Sequence, residues 1–185
     1  MNIFFTADQH FGHANIIKHA KRPFADVTEM DHRLIDAWNA RVTNRDLVYH
    51  LGDFAWRTGK VAAYAKQLKG AIILIRGNHD PKLGSINARM PVVHDVRMIR
   101  APPPDGHEIW LSHYAHRVWP KSGHGSYHLY GHSHGGLPDN PHALSMDVGV
   151  DTRPDFAPYS LDEIVAAMAK KTFKPVDHHG RSTDD

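Results

Sequence analysis

The sequence predicts a single mixed α/β domain, and three observations carry that prediction. Between residues 3 and 75, short apolar runs alternate with stretches of helical periodicity. From residue 92 onward the pattern is mostly strand-like, closed by one more helix. No repeat, low-complexity tract or linker divides the 185 residues, a length that suits one packed core.

Residues 3–7 form an apolar run that ends in Asp8 and reads as a buried strand. Met30, Leu34, Ile35, Trp38 and Val42 recur along one helical face, which predicts a helix over 28–42. Residues 47–51 give a second strand leading into Gly52-Asp53. Val61, Tyr64, Ala65 and Leu68 mark another helix, stopped by Gly70. The β-branched run 71–75 is a third strand, followed by Arg76-Gly77-Asn78-His79-Asp80. Strands are expected over 92–99 and 107–112 around the turn from Pro102 to Gly106, then over 127–130 and 143–148. Ser160 with Glu163 is a capping box that opens a last helix over 161–170. The domain is expected to span 1–173, with 174–185 a flexible tail that includes His178-His179.

Composition narrows the function classes. With 22 Lys and Arg against 20 Asp and Glu, the net charge of +2 argues for neither nucleic acid nor an anionic membrane as partner. There is no cysteine, which excludes disulfides, thiolate metal sites and thiol catalysis. Any metal must then be held by nitrogen and oxygen. The apolar runs are far short of a membrane span. The start of the chain lacks signal-peptide character, so a cytoplasmic setting is expected. Histidine is abundant, at 17 residues, and its placement is more informative than its number.

Five segments repeat one arrangement: an apolar strand ends and a metal-capable residue follows. They are Asp8-Gln9-His10, Gly52-Asp53, Gly77-Asn78-His79-Asp80, His113 after Trp110-Leu111-Ser112, and Gly131-His132-Ser133-His134. In open α/β sheets the ligand crevice lies beyond the carboxyl ends of the strands, so these segments can meet at one edge. Glycines at 52, 77 and 131 allow sharp turns and close approach. Carboxylate, imidazole and carboxamide together suit manganese, iron, zinc or nickel.

In their order D-x-H, G-D, G-N-H-D, H and G-H-x-H, these segments resemble the signature of the calcineurin-like metallophosphoesterase family, in its small single-domain bacterial or phage form. The resemblance runs from position 8 to position 134. It implies a four-layer α/β/β/α sandwich of two mixed sheets flanked by helices. It also implies two metal ions, with manganese first among the candidates. Asp8, His10 and His134 would hold one ion, and Asn78, His113 and His132 the other, with Asp53 bridging. His79 would face the scissile phosphate and Asp80 would orient it. The implied reaction is hydrolysis of a small phosphomonoester or phosphodiester by a hydroxide bridging the two ions, with a diester slightly preferred.

Other residues are weighed as bystanders. Asn15 is left between a place at the site and the start of a helix, the helix start weighing at least as much. Arg22, Arg76 and Arg117 are expected at the solvated surface. His116, His124 and His128 are left unassigned, leaning to loop or surface roles, and His50 is read as structural. Trp110 is placed in a strand core, while Trp56 and Trp119 fall in loops where either could form a pocket rim. His13 is left between lining the site and touching substrate. The rival functions are a nuclease acting on DNA or RNA and a non-catalytic metal-binding scaffold. Oligomeric state has no signature in the chain.

Overall fold

The computed structural model describes residues 1–56, 58–80 and 93–176. The first strand, β1 (Ile3–Thr6), shows how the layers arise. Successive strand side chains point to opposite faces. Phe4 therefore joins a core with Met30, Leu34 and Trp38 of α2 (Val27–Arg41) and with Val61 and Ala65 of α3 (Val61–Ala65). Phe5 joins a different core, shared with Ile109, Leu111, Tyr127 and Leu129 of a second sheet.

The first sheet has the order β4-β3-β2-β1-β9. Its strands β2 (Leu47–His50), β3 (Ala71–Ile75) and β4 (Val93–His94) run parallel to β1, and β9 (Tyr159–Ser160) runs antiparallel at the other edge. The second sheet has the order β5-β6-β7-β8. In it β6 (Glu108–Ser112), β7 (Tyr127–Tyr130) and β8 (Ser145–Asp147) are parallel, and β5 (Val96–Arg100) is antiparallel to β6. The fold is thus α/β, with two mixed sheets and a few flanking helices. α1 (Ala14–His19) and α2 lie on the first sheet's side. α4 (Leu161–Met168) packs Leu161, Ile164 and Met168 into the core between the sheets. Over His128, on the far face of the second sheet, lies the loop residue Trp119, with ring centroids 5.2 Å apart.

The structure departs from the sequence reading at defined places. The strand expected over 92–99 is two strands, one in each sheet, and the chain crosses between sheets at Asp95 (Val92 lies outside the described residues). An apolar run records burial but not which sheet buries it. The helix expected to reach Leu68 ends at Ala65. α1 and β9 have no clear periodic signal, being six and two residues long. Asn15 falls in the first turn of α1, whose N-cap is His13. Of the expected tail, 177–185 lies outside the described residues. Among the described residues, no helix is long and apolar enough to cross a membrane.

The capping box of α4 is present: Ser160 accepts from the Glu163 N–H at 3.3 Å and Glu163 accepts from the Ser160 N–H at 2.7 Å. Glu163 also takes both nitrogens of the Arg41 fork, at 3.1 and 2.9 Å, which ties α4 to α2. Burial alone would raise its carboxyl. The Arg41 bonds, the Ser160 N–H and Arg153 outweigh that and hold it at about 2. A depressed folded-state pKa gives stability that is present above the unfolded value and lost as pH falls through the folded one. Glu163→Gln keeps the cap but not the charge. We expect it to be less stable than the parent at pH 6, with the gap narrowing as pH falls from about 4.5 towards about 2. Denaturant unfolding across that range checks this, and a gap independent of pH would contradict it.

Candidate metal centre

Parallel pairing brings the motif-bearing strand ends to one edge. Thr6 pairs with His50 and His50 with Leu74, so Asp8, Asp53 and Asn78 emerge side by side from the first sheet. In the second sheet, His113 follows β6 and His132 follows β7. A parallel bridge between Ala7 and Gly149 joins the two edges. Backbone bonds then stitch the loops together: Asp8 N–H to Gly52 O, His10 N–H to Asp53 O and Gly131 N–H to His113 O, each at 3.0 Å.

The side chains form two groups that could hold metal ions. Asp8, His10 and His134 make one, and Asp53, His113 and His132 the other; within each, the ligand atoms lie within 4.8 Å of one another. One oxygen of Asp53, Oδ2, reaches towards both groups. It is 3.4 Å from His10 Nε2 and 3.5 Å from His113 Nε2. Asn78 joins the second group, its Oδ1 3.1 Å from His113 Nε2. All seven ligand candidates of the sequence therefore converge.

Their backbone is unusual. Eight non-glycine residues among those described have positive φ, and five of them are Asp8, His10, Asp53, His132 and His134, with φ between 48° and 67°. Such conformations cost about 1–3 kcal/mol each and cluster at functional sites. Close approach adds a second constraint. A Cβ on Gly77 would lie 2.2 Å from Asp53 Oδ1, and one on Gly52 would lie 2.5 Å from His113 Nδ1. Those positions admit glycine alone.

Ring orientation presents nitrogen lone pairs inward. His113 Nδ1 lies 2.7 Å from the Leu51 carbonyl and must donate to it, leaving Nε2 facing Asn78 Oδ1 and Asp53 Oδ2. A lone pair facing two oxygens needs a proton or a metal cation between them. Burial alone would lower the His113 pKa, but the Asp53 carboxylate outweighs it and raises the value. His134 Nδ1 likewise donates to Asp151 Oδ2 at 2.6 Å, freeing Nε2. Burial drives His10 down to about 3, so it is neutral. Neither of its ring nitrogens, nor Asp8 Oδ1, has a hydrogen-bond partner although all are buried. Orphaned buried polar atoms are rare and costly. A metal ion fits this set, because it would satisfy Asp8 Oδ1 and one lone-pair nitrogen of His10 together.

Asp53 is ionised here. Burial would raise its carboxyl, but the bond and charge of His113, the His79 N–H and His10 together hold it at about 2. His79 is exposed, with 36% of its side chain accessible and Nε2 3.9 Å from Asp53 Oδ2. Its backbone N–H donates to Asp53 Oδ1 at 2.9 Å. Asp80 is fixed differently from the expected orienter of the ring. Its carboxylate accepts the backbone N–H groups of Asp53, Phe54 and Gly77 at 2.7, 2.9 and 2.8 Å. Its hold on His79 therefore runs through the loop backbone.

Several residues differ from their sequence reading. Arg22, expected at the surface, has a fully buried side chain. It grips Asp151 with two bonds of 2.7 and 2.8 Å and donates to the carbonyls of Asp8 at 2.6 Å and Gln9 at 2.9 Å. Asp151 itself was missed. Its signal was present, since Gly149-Val150-Asp151 follows strand β8 as the other motifs follow theirs. Arg76 is half-buried beside Asp95, and Arg117 is exposed as expected. His50 is buried in β2, as expected, and bonds Gln9 Oε1. His128, left unassigned with a lean to a loop or the surface, is buried in β7 between the Trp110 carbonyl and the His116 N–H. Trp119 is buried on Ser126 and lines a cavity of about 360 Å³ beside His116 and Tyr130, which none of the seven ligand candidates lines. Trp110 is half-buried, and His124 is exposed as expected. Trp56 is exposed and stacks on buried His13, with centroids 3.8 Å apart.

Asp151 fixes the His134 tautomer, the role that carboxylates take behind metal-binding histidines. We expect Asp151→Asn to weaken manganese binding by roughly 10- to 100-fold, measured by titrating chelator-stripped protein. Unchanged affinity would show that His134 needs no such partner.

No family model matches the chain. The Gene 66 protein of Mycobacterium phage L5 is 29% identical, covering 81% of this chain and 86% of its own. The crystal structure of AQ665 from Aquifex aeolicus, a protein of unknown function, superposes with a TM-score of 0.69, covering 90% of this chain and 98% of that one. At 23% identity that likeness speaks to the fold. The uncharacterized protein MJ1445 of Methanocaldococcus jannaschii is 35% identical, covering 91% of this chain and 92% of its own. At that identity and coverage, the chain belongs to the same family as MJ1445.

Proposed function

We propose that the protein is a metal-dependent phosphoesterase of the calcineurin-like type, with the four-layer sandwich of that family and a small phosphoester as substrate. One observation carries the reading. A single carboxylate oxygen of Asp53 lies within 3.5 Å of histidine nitrogens that belong to two separate ligand groups. Nitrogen and oxygen ligation suits manganese first, with iron, zinc or nickel as alternatives. Two ions held there would polarise phosphoryl oxygens and make water a nucleophile at neutral pH. A cytoplasmic setting goes with this reading.

The chain's own residues supply the rest. His79, accessible at the rim and anchored to Asp53 through its backbone, is positioned to donate a hydrogen bond to a phosphoryl or leaving oxygen. Asp80 holds the loops of Asp53 and Gly77 together. Arg22 holds the carbonyl of Asp8 and, through Asp151, the ring of His134.

The test is hydrolysis of bis(p-nitrophenyl) phosphate and p-nitrophenyl phosphate by protein stripped with chelator and then given manganese. We expect turnover to vanish on stripping and return with metal. No turnover of either ester with two ions bound per chain would overturn the proposal. Asp53→Asn should abolish nearly all activity and reduce the bound metal. His79→Ala should keep both ions yet lower kcat by roughly 10²- to 10⁴-fold, as for loss of a general acid. A collapse in metal content would instead make His79 a ligand.

A further inference from the structure

Two exposed aromatic side chains stand at opposite ends of the ligand row. Trp56 is 43% exposed and Tyr114 is 49% exposed. Trp56 serves the end with His10 and His79. Its ring lies flat on His13, with centroids 3.8 Å apart and planes 10° apart, and 5.2 Å from the ring of His79. Tyr114 serves the other end. Its ring meets His132 edge-on at 4.6 Å and His113 at 5.0 Å.

Both rings are fixed in place. His13, beneath Trp56, is only 9% exposed and sits 5.4 Å from His10, so the platform rests on the site itself. The Trp56 backbone N–H donates to the Phe11 carbonyl at 3.0 Å, beside a parallel bridge between Phe11 and Ala55. The Tyr114 carbonyl accepts from Ser112 Oγ at 2.7 Å, and its hydroxyl lies 3.4 Å from Asn78 Oδ1. Leaving a Trp and a Tyr half in water forgoes burial that a core would reward. Rigid aromatic faces beside a reactive centre are well suited to stacking planar groups at little entropic cost. A cavity of about 380 Å³ opens beside Trp56 and His13, with Asn15 and Lys60 on its wall, giving room for a polar extension.

A phosphodiester carries one substituent on each side of phosphorus, and a monoester carries one in all. We infer that the substrate is a small phosphodiester with a planar ring on both sides, such as a dinucleoside monophosphate. Its leaving group rests on Trp56 beside His79, and its retained group rests on Tyr114. This inference rests on the phosphoesterase reading and specifies its substrate. A small diester fits better than a long strand, because the net charge of +2 supplies no broad basic track.

The test uses metal-loaded protein and compares kcat/KM for bis(p-nitrophenyl) phosphate with that for methyl p-nitrophenyl phosphate, which has one ring. Trp56→Ala should lower both. Tyr114→Ala should lower only the two-ring diester, by roughly 5- to 150-fold, the range for aromatic stacking on a base. Tyr114→Phe keeps the ring but loses the hydroxyl contact with Asn78, and should retain most of the activity on the two-ring diester that Tyr114→Ala loses. Metal content is measured for every variant, so that loss of a ligand is not read as loss of a platform. Equal losses on both esters for Tyr114→Ala, or a Tyr114→Phe as impaired as Tyr114→Ala, would overturn the inference. A single-stranded oligonucleotide cut far faster than a dinucleoside monophosphate would overturn the assignment to a small diester. Should fully metallated parent protein hydrolyse no ester, the phosphoesterase reading fails by itself. Calorimetric binding of the dinucleoside monophosphate then decides the platforms: binding that both alanine variants lose supports them, and absence of binding to the parent overturns them.

Discussion

The Asp53 carboxylate is held in place while one of its oxygens stays between two imidazoles, and the rest of the site follows from that constraint. Its Oδ1 takes the His79 N–H, and its backbone N–H is tied to Asp80. Gly77 packs so closely that no larger residue fits beside it. Oδ2 is left between His10 and His113. An ionised carboxylate so deeply buried is stable only where cations or donors surround it. His113, the His79 N–H and His10 are those surroundings.

The same electrostatics explains the layer behind the site. Asp8, Asp147 and Asp151 crowd the first ligand group, and burial and mutual repulsion raise the Asp8 carboxyl. Arg22 is a buried positive charge answering that crowd, and it bonds Asp151 and two carbonyls of the Asp8 loop. Left-handed backbone at five ligand candidates is a cost the loops bear so that their side chains converge. Parallel strands on both sides provide the rigid base against which that strain is held.

Features of the site that depend on local pattern were legible in the sequence. Each ligand candidate follows an apolar run, and the glycines at 52 and 77 mark close approaches that the structure contains. The helix through Trp38 and the capping box at Ser160 were likewise readable from spacing. What escaped is what distant residues decide. Arg22 meets Asp151 across 129 positions, and no local window distinguishes it from a surface arginine. His128 reads as polar in an alternating strand, yet the Trp110 carbonyl and the His116 N–H satisfy it in the interior. Tyr159 and Ser160 become a strand only because β1 offers them a free edge. The strand over 92–99 was mistaken for one because its break at Asp95 depends on the two sheets and not on the residues themselves.

In the proposed centre, two ions share one carboxylate. Anomalous diffraction at the manganese edge, from crystals of the reconstituted protein, tests that most directly. The account predicts two peaks, one among Asp8, His10 and His134 and one among Asn78, His113 and His132, each in contact with Asp53. A single peak, or two peaks of which only one touches Asp53, would contradict it.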